Sequence, residues 1–309
     1  MGLADEVLAG DARAVARAIS LVEDGDPGLA ELSAALFPRT GRAWTVGLTG
    51  SPGVGKSTLA GALVAGARAR DERVAVLAID PTSPFTGGAL LGDRLRMQTH
   101  ATDPGVFIRS MATRGHLGGM ALAAPEAVRI LDAAGNDVVI VETVGVGQAE
   151  VDVAAATDTT LVVVAPGWGD AVQVAKAGIL EIADVFVVNK ADRDGADAAV
   201  RDLEAMLRTG PALPWTPPVV RVAAASGAGL DDLWAAIGRH RAWLDDDGRL
   251  EAARRVRLLR EVEALAAERD RRELRRRLEA DTDLGGALVA RRLDPYAAAA
   301  MLAASRTSR

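Results

Sequence analysis

An α/β fold with a mainly parallel central sheet flanked by helices is predicted by three observations. Short apolar runs recur through the middle of the chain, and several are unbroken, such as Val138-Val139-Ile140-Val141 and Val185-Phe186-Val187-Val188. Stretches with helical spacing separate these runs. Strands buried on both faces read as continuous apolar segments, and the helices between them supply the crossovers that parallel neighbours require. Finally, 309 residues with 49% hydrophobic content suffice for one sizeable domain with helical additions.

The elements follow in order. Residues 1–40 read as two helices: Val7, Leu8, Val15 and Ile19 make a stripe, and Asp26-Pro27-Gly28 breaks the chain before a second helix. Strands are predicted at 44–49, 73–79, 106–110, 137–142, 159–165, 184–189 and 219–223. From Gly248 onward the pattern is helical only. Residues 249–280 carry 11 Arg against 7 Asp and Glu and no aromatic side chain, which fits a solvated or partner-facing helix better than a nucleic-acid arm. Leu258, Val262, Leu265, Leu274 and Leu278 would share one face for packing or self-association. Pro295 sits in the first turn of a final helix. The expected division is an N-terminal helical extension at 1–42, an α/β domain at 43–245 and a C-terminal helical extension at 246–309.

Composition removes several functions. A net charge of −6 argues against nucleic-acid binding by bulk charge. The chain has no cysteine, so disulfides and thiolate metal sites are excluded. No apolar run approaches the ~20 residues of a membrane span. Asp5, Glu6 and Asp11 near the start are unlike a signal or mitochondrial leader, so a cytoplasmic location is expected.

The segment Gly50-Ser51-Pro52-Gly53-Val54-Gly55-Lys56-Ser57-Thr58 fits G-x-x-x-x-G-K-[ST] between a predicted strand and a predicted helix. Glycines let backbone N–H groups close around phosphate oxygens, and the helix N-terminus adds partial positive charge. Lys56 would reach the β- and γ-phosphates, and the Ser57 hydroxyl would ligate Mg²⁺. A phosphate loop alone leaves kinase, ATPase and GTPase open.

Asn189-Lys190-Ala191-Asp192, at a strand end, narrows the choice. A carboxylate at Asp192 can accept from guanine N1–H and the 2-amino group, a pair that adenine lacks. Asn189 would brace the loop and the Lys190 stem would cover the base. Ala223-Ala224-Ala225 follows the strand at 219–223, where a loop backbone N–H would meet guanine O6. Glu142-Thr143-Val144-Gly145 fits D-x-x-G with Glu for Asp. Glu142 would hold Mg²⁺ through water, and Gly145 would turn its N–H toward the γ-phosphate. Asp80 and Asp93 are further candidates for the Mg²⁺ shell. Val146 stands where Ras-type enzymes place a water-orienting Gln, so weak intrinsic hydrolysis is expected. Arg109 and Arg114 would brace a carboxylate, such as Asp93 or Glu142, or stabilise transition-state charge. His116 suits a structural or switching role.

With these motifs in place, the chain resembles the metallochaperone-type P-loop GTPases, and within them the methylmalonyl-CoA mutase-associated GTPases of the MeaB/ArgK type. The resemblance rests on the phosphate loop, on Ile79-Asp80-Pro81-Thr82-Ser83, Gly92-Asp93-Arg94 and the run from Arg109 through Gly119. It also rests on the run from Glu142 through Gln148, the run from Lys176 through Asp184, and Asn189–Asp192. Ala223-Ala224 departs from the usual Ser-Ala start. The resemblance implies a P-loop GTPase domain that binds GTP or GDP with Mg²⁺. It implies a chaperone of an adenosylcobalamin-dependent acyl-CoA mutase, a homodimer formed through the C-terminal helices, and a third switch at Gly167-Trp168-Gly169-Asp170 through Lys176. No nucleic-acid or membrane partner is expected. The alternatives are a metallochaperone GTPase for metalloenzyme maturation, which no Cys and three scattered His disfavour, and a P-loop kinase.

Overall fold

The computed structural model describes residues 2–81, 102–113, 119–143, 149–167 and 181–304. Seven strands form one sheet: β1 (Trp44–Thr49), β2 (Val74–Pro81), β3 (Val106–Thr113), β4 (Val138–Thr143), β5 (Thr159–Val164), β6 (Val185–Asn189) and β7 (Val219–Val222). Their order is β3-β2-β4-β1-β5-β6-β7. Every neighbour is parallel, so all seven predicted strands are present with only their ends moved.

Helices cover both faces, which is why the strands are apolar without interruption. Val74, Val76, Val138, Ile140, Leu161, Val163, Val185 and Val187 face α4 (Lys56–Arg68) and α8 (Leu230–Asp245). Ala75, Leu77, Val139 and Val141 face the other way, toward α5 (Gly119–Ala133), α6 (Ala149–Ala156) and the N-terminal helices. Val162, Val164, Phe186 and Val188 pack under α7 (Ala196–Thr209).

Residues 1–40 hold three α-helices rather than two: α1 (Leu3–Leu8), α2 (Ala12–Asp24) and α3 (Leu29–Leu36). The additional break falls at Gly10, whose φ is 77°, and Asp11 then caps α2 by accepting from Ala14 N at 2.7 Å. The apolar stripe runs on across this break because Val7, Val15 and Ile19 enter the same core.

Aspartates line the amino edge of the sheet, each accepting a backbone N–H where a strand begins. Asp132 accepts from Ala43 N at 2.9 Å, Asp137 from Arg73 N at 2.8 Å, Asp158 from Thr45 N at 3.2 Å and Asp184 from Thr160 N at 2.7 Å. A buried relay joins two of these strands to α8. Trp44 Nε1 donates to Thr159 Oγ1 at 3.1 Å, and that hydroxyl lies 3.0 Å from His240 Nδ1. His240 Nε2 lies 3.3 Å from Asp184 Oδ1. Burial pulls His240 down to about 4, against the pull of the Asp158 charge. Burial pushes the Asp184 carboxyl up to about 7, against the Thr160 N–H.

The described chain divides into two compact units, Met1–Leu258 and Leu259–Arg309. Helix α9 (Arg249–Ala280) is continuous through the boundary, and α10 (Thr282–Val289) and α11 (Pro295–Ala304) follow. Within the second unit Leu284 and Ala298 are buried, whereas Val262, Leu265, Leu274, Leu278, Tyr296 and Met301 are exposed. Among the described residues no helix is long and apolar enough to cross a membrane.

Candidate functional site

The carboxyl edge of the sheet gathers the sequence motifs. The chain leaves β1 at Thr49, turns through residues 50–55 and enters α4 at Lys56. Gly55 precedes the helix with φ 96° and no side-chain cap, so the first turn of α4 faces the loop. A Cβ on Gly55 would meet Asn189 Nδ2 at 2.5 Å, so this position excludes any side chain on both counts. Lys56 is buried, and its Nζ donates to Gly50 O at 2.6 Å and Ser51 O at 3.1 Å. Pro52, Gly53 and Thr58 are exposed, while Val54 and Ser57 are buried.

Ser57 Oγ donates to Glu142 Oε1 at 2.7 Å, joining the first turn of α4 to the end of β4. Glu142 is only 4% exposed. A hydroxyl and a carboxylate are hard oxygen donors of the kind Mg²⁺ takes, so this pair fits the ion expected beside a triphosphate. Asp80 lies in β2, in register with Ala112, but its side chain is outside the described set. Asp93, Arg114, His116, Gly145, Val146, Gln148 and the segment 168–176 also lie outside the described residues. Among the described residues no group of three or more His, Cys, Asp or Glu is arranged to hold a metal ion.

Asn189 is the residue that ties three loops together. Its Nδ2 donates to Val54 O at 2.8 Å, and its Oδ1 accepts from Ala224 N at 3.2 Å. Lys190 adopts φ 56° and its Nζ donates to Gly53 O at 2.6 Å. The 189–192 turn is held in turn by Ala191 N donating to Val222 O at 3.0 Å. Ala223 N donates to Ala228 O at 2.9 Å, which closes the 223–228 loop. Ala225 and Asp192 are exposed beside these braced backbones. The bracing expected of Asn189 is thus directed at the phosphate loop and at the 223–225 loop together.

Arg109 does not reach this edge. Its Nη2 donates to Glu23 Oε2 at 2.6 Å and to Ser20 Oγ at 2.8 Å, both on α2. The carboxylate it braces among the described residues is that of Glu23 and not Glu142; Asp93 lies outside them. The cause is its place midway along edge strand β3, against which α2 packs. The sequence assigns no individual role to Asp158, Asp184, His240, Arg254 or Arg257. The one local signal, for Asp158 and Asp184, is an Asp directly before an apolar strand.

A seven-stranded parallel sheet with a glycine loop feeding a helix, and a second loop braced on the first, defines a P-loop GTPase fold. A family model described as methylmalonyl-CoA mutase-associated GTPase MeaB matches residues 15–279, and the chain belongs to that family. It is 48% identical over 301 residues to a protein of Pyrococcus horikoshii named as a GTPase, covering 96% of this chain and 95% of that one. It is 37% identical over 268 residues to the mitochondrial methylmalonic aciduria type A homolog of Caenorhabditis elegans, covering 80% and 67%. A solved structure described as LAO/AO transport system kinase matches with a TM-score of 0.72 at 28% identity, covering 99% and 96%.

Proposed function

We propose that the chain binds GTP across residues 50–58, reads guanine with Asn189, Lys190, Asp192 and the backbone of Ala223–Ala225, and hydrolyses GTP slowly. The observation that carries this reading is the double contact of Asn189 with Val54 O and Ala224 N, which holds a base-reading loop against a phosphate loop. Lys56 would leave Gly50 O and Ser51 O for the β- and γ-phosphates. Ser57 and Glu142, with Asp80 and Asp93, would hold Mg²⁺, which neutralises phosphate charge in the transition state. Gly145 reports the γ-phosphate through its backbone. Val146 supplies no polar group to orient water, so turnover waits on a partner.

That partner is an adenosylcobalamin-dependent acyl-CoA mutase, for which the chain acts as a chaperone that gates cofactor loading and release. Support comes from the family description and from the name of the Caenorhabditis elegans relative. The chain acts as a homodimer through residues 246–309, whose exposed Val262, Leu265, Leu274 and Leu278 suit self-association. The test is GTP turnover by the full chain alone and with each cobalamin mutase of the source organism. Acceleration by at least one mutase is expected. Turnover unchanged by all of them removes the mutase as client, and failure to bind GTP removes the site.

A further inference from the structure

The amino edge of the sheet, opposite the nucleotide loops, carries one junction more densely bonded than its neighbours. Asp158 lies between α6 and β5, with its side chain 1% exposed. It is locked to β1 in both directions. Thr45 N donates to Asp158 Oδ2 at 3.2 Å, and Asp158 N donates to Thr45 Oγ1 at 2.7 Å and to Thr45 O at 3.0 Å. Just before it, Thr157 Oγ1 donates to Val153 O at 2.9 Å and fastens the end of α6. That end lies directly on β1, because a Cβ on Gly47 would meet Thr157 Oγ1 at 2.6 Å and Val153 Cγ1 at 2.7 Å.

Two arginines of α9 close on the same point. Arg254 forks onto the carboxylate, Nε to Oδ1 at 3.1 Å and Nη2 to Oδ2 at 2.7 Å. It also donates to Gly41 O at 2.6 Å and Ala43 O at 3.1 Å. Arg257 donates to Asp158 Oδ1 and to Thr157 O. Burial alone would raise the Asp158 carboxyl, but the Arg254 hydrogen bond and the two guanidinium charges outweigh it and hold it below the ordinary range. Bidentate Arg–carboxylate geometry fixes direction as well as distance, so the first turns of α9 cannot pivot while Asp158 stays charged and in place.

One of the elements fastened here, β1, ends at the candidate nucleotide site. β1 runs from Trp44 into the phosphate loop, and its neighbour β4 ends at Glu142 and Thr143. α6 is the next described element after β4. We infer that Asp158 is a positioning residue that couples the root of α9 to β1 and α6, so that guanine-nucleotide state and the anchoring of α9 bias each other. The inference rests on the GTP reading above. Linkage then requires reciprocity: whatever loosens the α9 root changes the preference between GTP and GDP by the same factor.

The test uses hydrogen exchange on the full chain, with GDP and with a non-hydrolysable GTP analogue, read at residues 249–258. The wild type is expected to exchange there at rates differing by about fivefold or more between the two nucleotides, the lower end of common coupling factors. Asp158→Asn should shrink the difference below about twofold and change the ratio of the two dissociation constants by a matching factor. Because Asp158→Asn leaves two guanidiniums uncompensated and can impair folding, Arg257→Gln serves beside it. That variant keeps the Arg254 fork and should give an intermediate ratio. A lowered melting temperature with an unchanged nucleotide ratio in both variants would make the junction structural only and overturn the inference. So would a wild type whose exchange at 249–258 ignores the nucleotide while binding both. A wild type that binds neither overturns the GTP reading itself.

Discussion

Replacing Asn189 by Ala tests the site at its most connected residue. Asn189 is 2% exposed, and its partners Val54 and Ala224 are 4% and 8% exposed. The variant therefore strands a buried carbonyl and a buried N–H in a pocket that water reaches poorly. Each such orphan costs about 1–3 kcal/mol, so two cost about 2–6 kcal/mol. The loss divides between the apo fold and the ordering of the loops around nucleotide. If about 2 kcal/mol falls on binding, affinity for GDP drops roughly 30-fold. The remainder lowers the melting temperature by about 2–4 °C per kcal/mol. Titration with a fluorescent GDP analogue and a melting curve at the same pH separate the two. Asn189→Asp sharpens the test: it keeps an acceptor for Ala224 N but sets a carboxylate oxygen against Val54 O, so it should bind at least as poorly. Binding within threefold of wild type, with melting within about 2 °C, in Asn189→Ala would refute the bridging role.

Asp192→Asn should trade GTP for xanthosine triphosphate, since the amide can pair with the xanthine 2-oxo group; equal loss for both nucleotides in a binding titration contradicts base reading by Asp192. Glu23→Gln should remove about 3 kcal/mol by disturbing the 2.6 Å ion pair with Arg109, lowering the melting temperature by about 6–12 °C while leaving GDP affinity within twofold. A large affinity loss in a well-folded Glu23→Gln would return Arg109 to the nucleotide site. His240 and Asp184 give opposite pH slopes. His240 is pulled below 6.5 in the folded chain, so its share of stability is present above pH 6.5 and fades as pH falls toward 4. Asp184 is raised from 3.8 toward 7, so its share is present at low pH and fades as pH rises through that window. Relative to wild type at each pH, His240→Gln should therefore melt progressively lower as pH rises from 4 to 6.5, and Asp184→Asn progressively higher. Melting curves that tilt the same way in both variants contradict this assignment.

The sheet and the phosphate loop were legible in the sequence because their causes are local. A strand buried on both faces must be apolar at every position, and Val138–Val141 and Val185–Val188 are. A helix that opens on a positive-φ glycine with no side-chain cap needs Gly at that place, and Gly55 marks it. The extra break near Gly10 was not legible, because Val7 and Val15 serve one core and keep the stripe in phase across the interruption. Nor was the partner of Arg109, since Glu23 lies 86 residues earlier and meets it only once β3 takes the sheet edge beside α2. An aspartate before a strand reads as an ordinary turn residue until the neighbouring strand start is known.

Those aspartates show why the two sheet edges carry different work. Asp158 accepts from Thr45 N, from the Arg254 fork and from Arg257, partners whose removal would break a strand start or bury a cation. Such a carboxylate has no cheap partner to exchange, and it serves to fix geometry. Glu142 shares Oε1 with the Ser57 hydroxyl, and a divalent cation can take the place of that bond while leaving every strand pairing intact. The two kinds of carboxylate thus stand at opposite edges of one sheet, Glu142 beside the phosphate loop and Asp158 at the root of α9, which is the arrangement through which the proposed coupling would run.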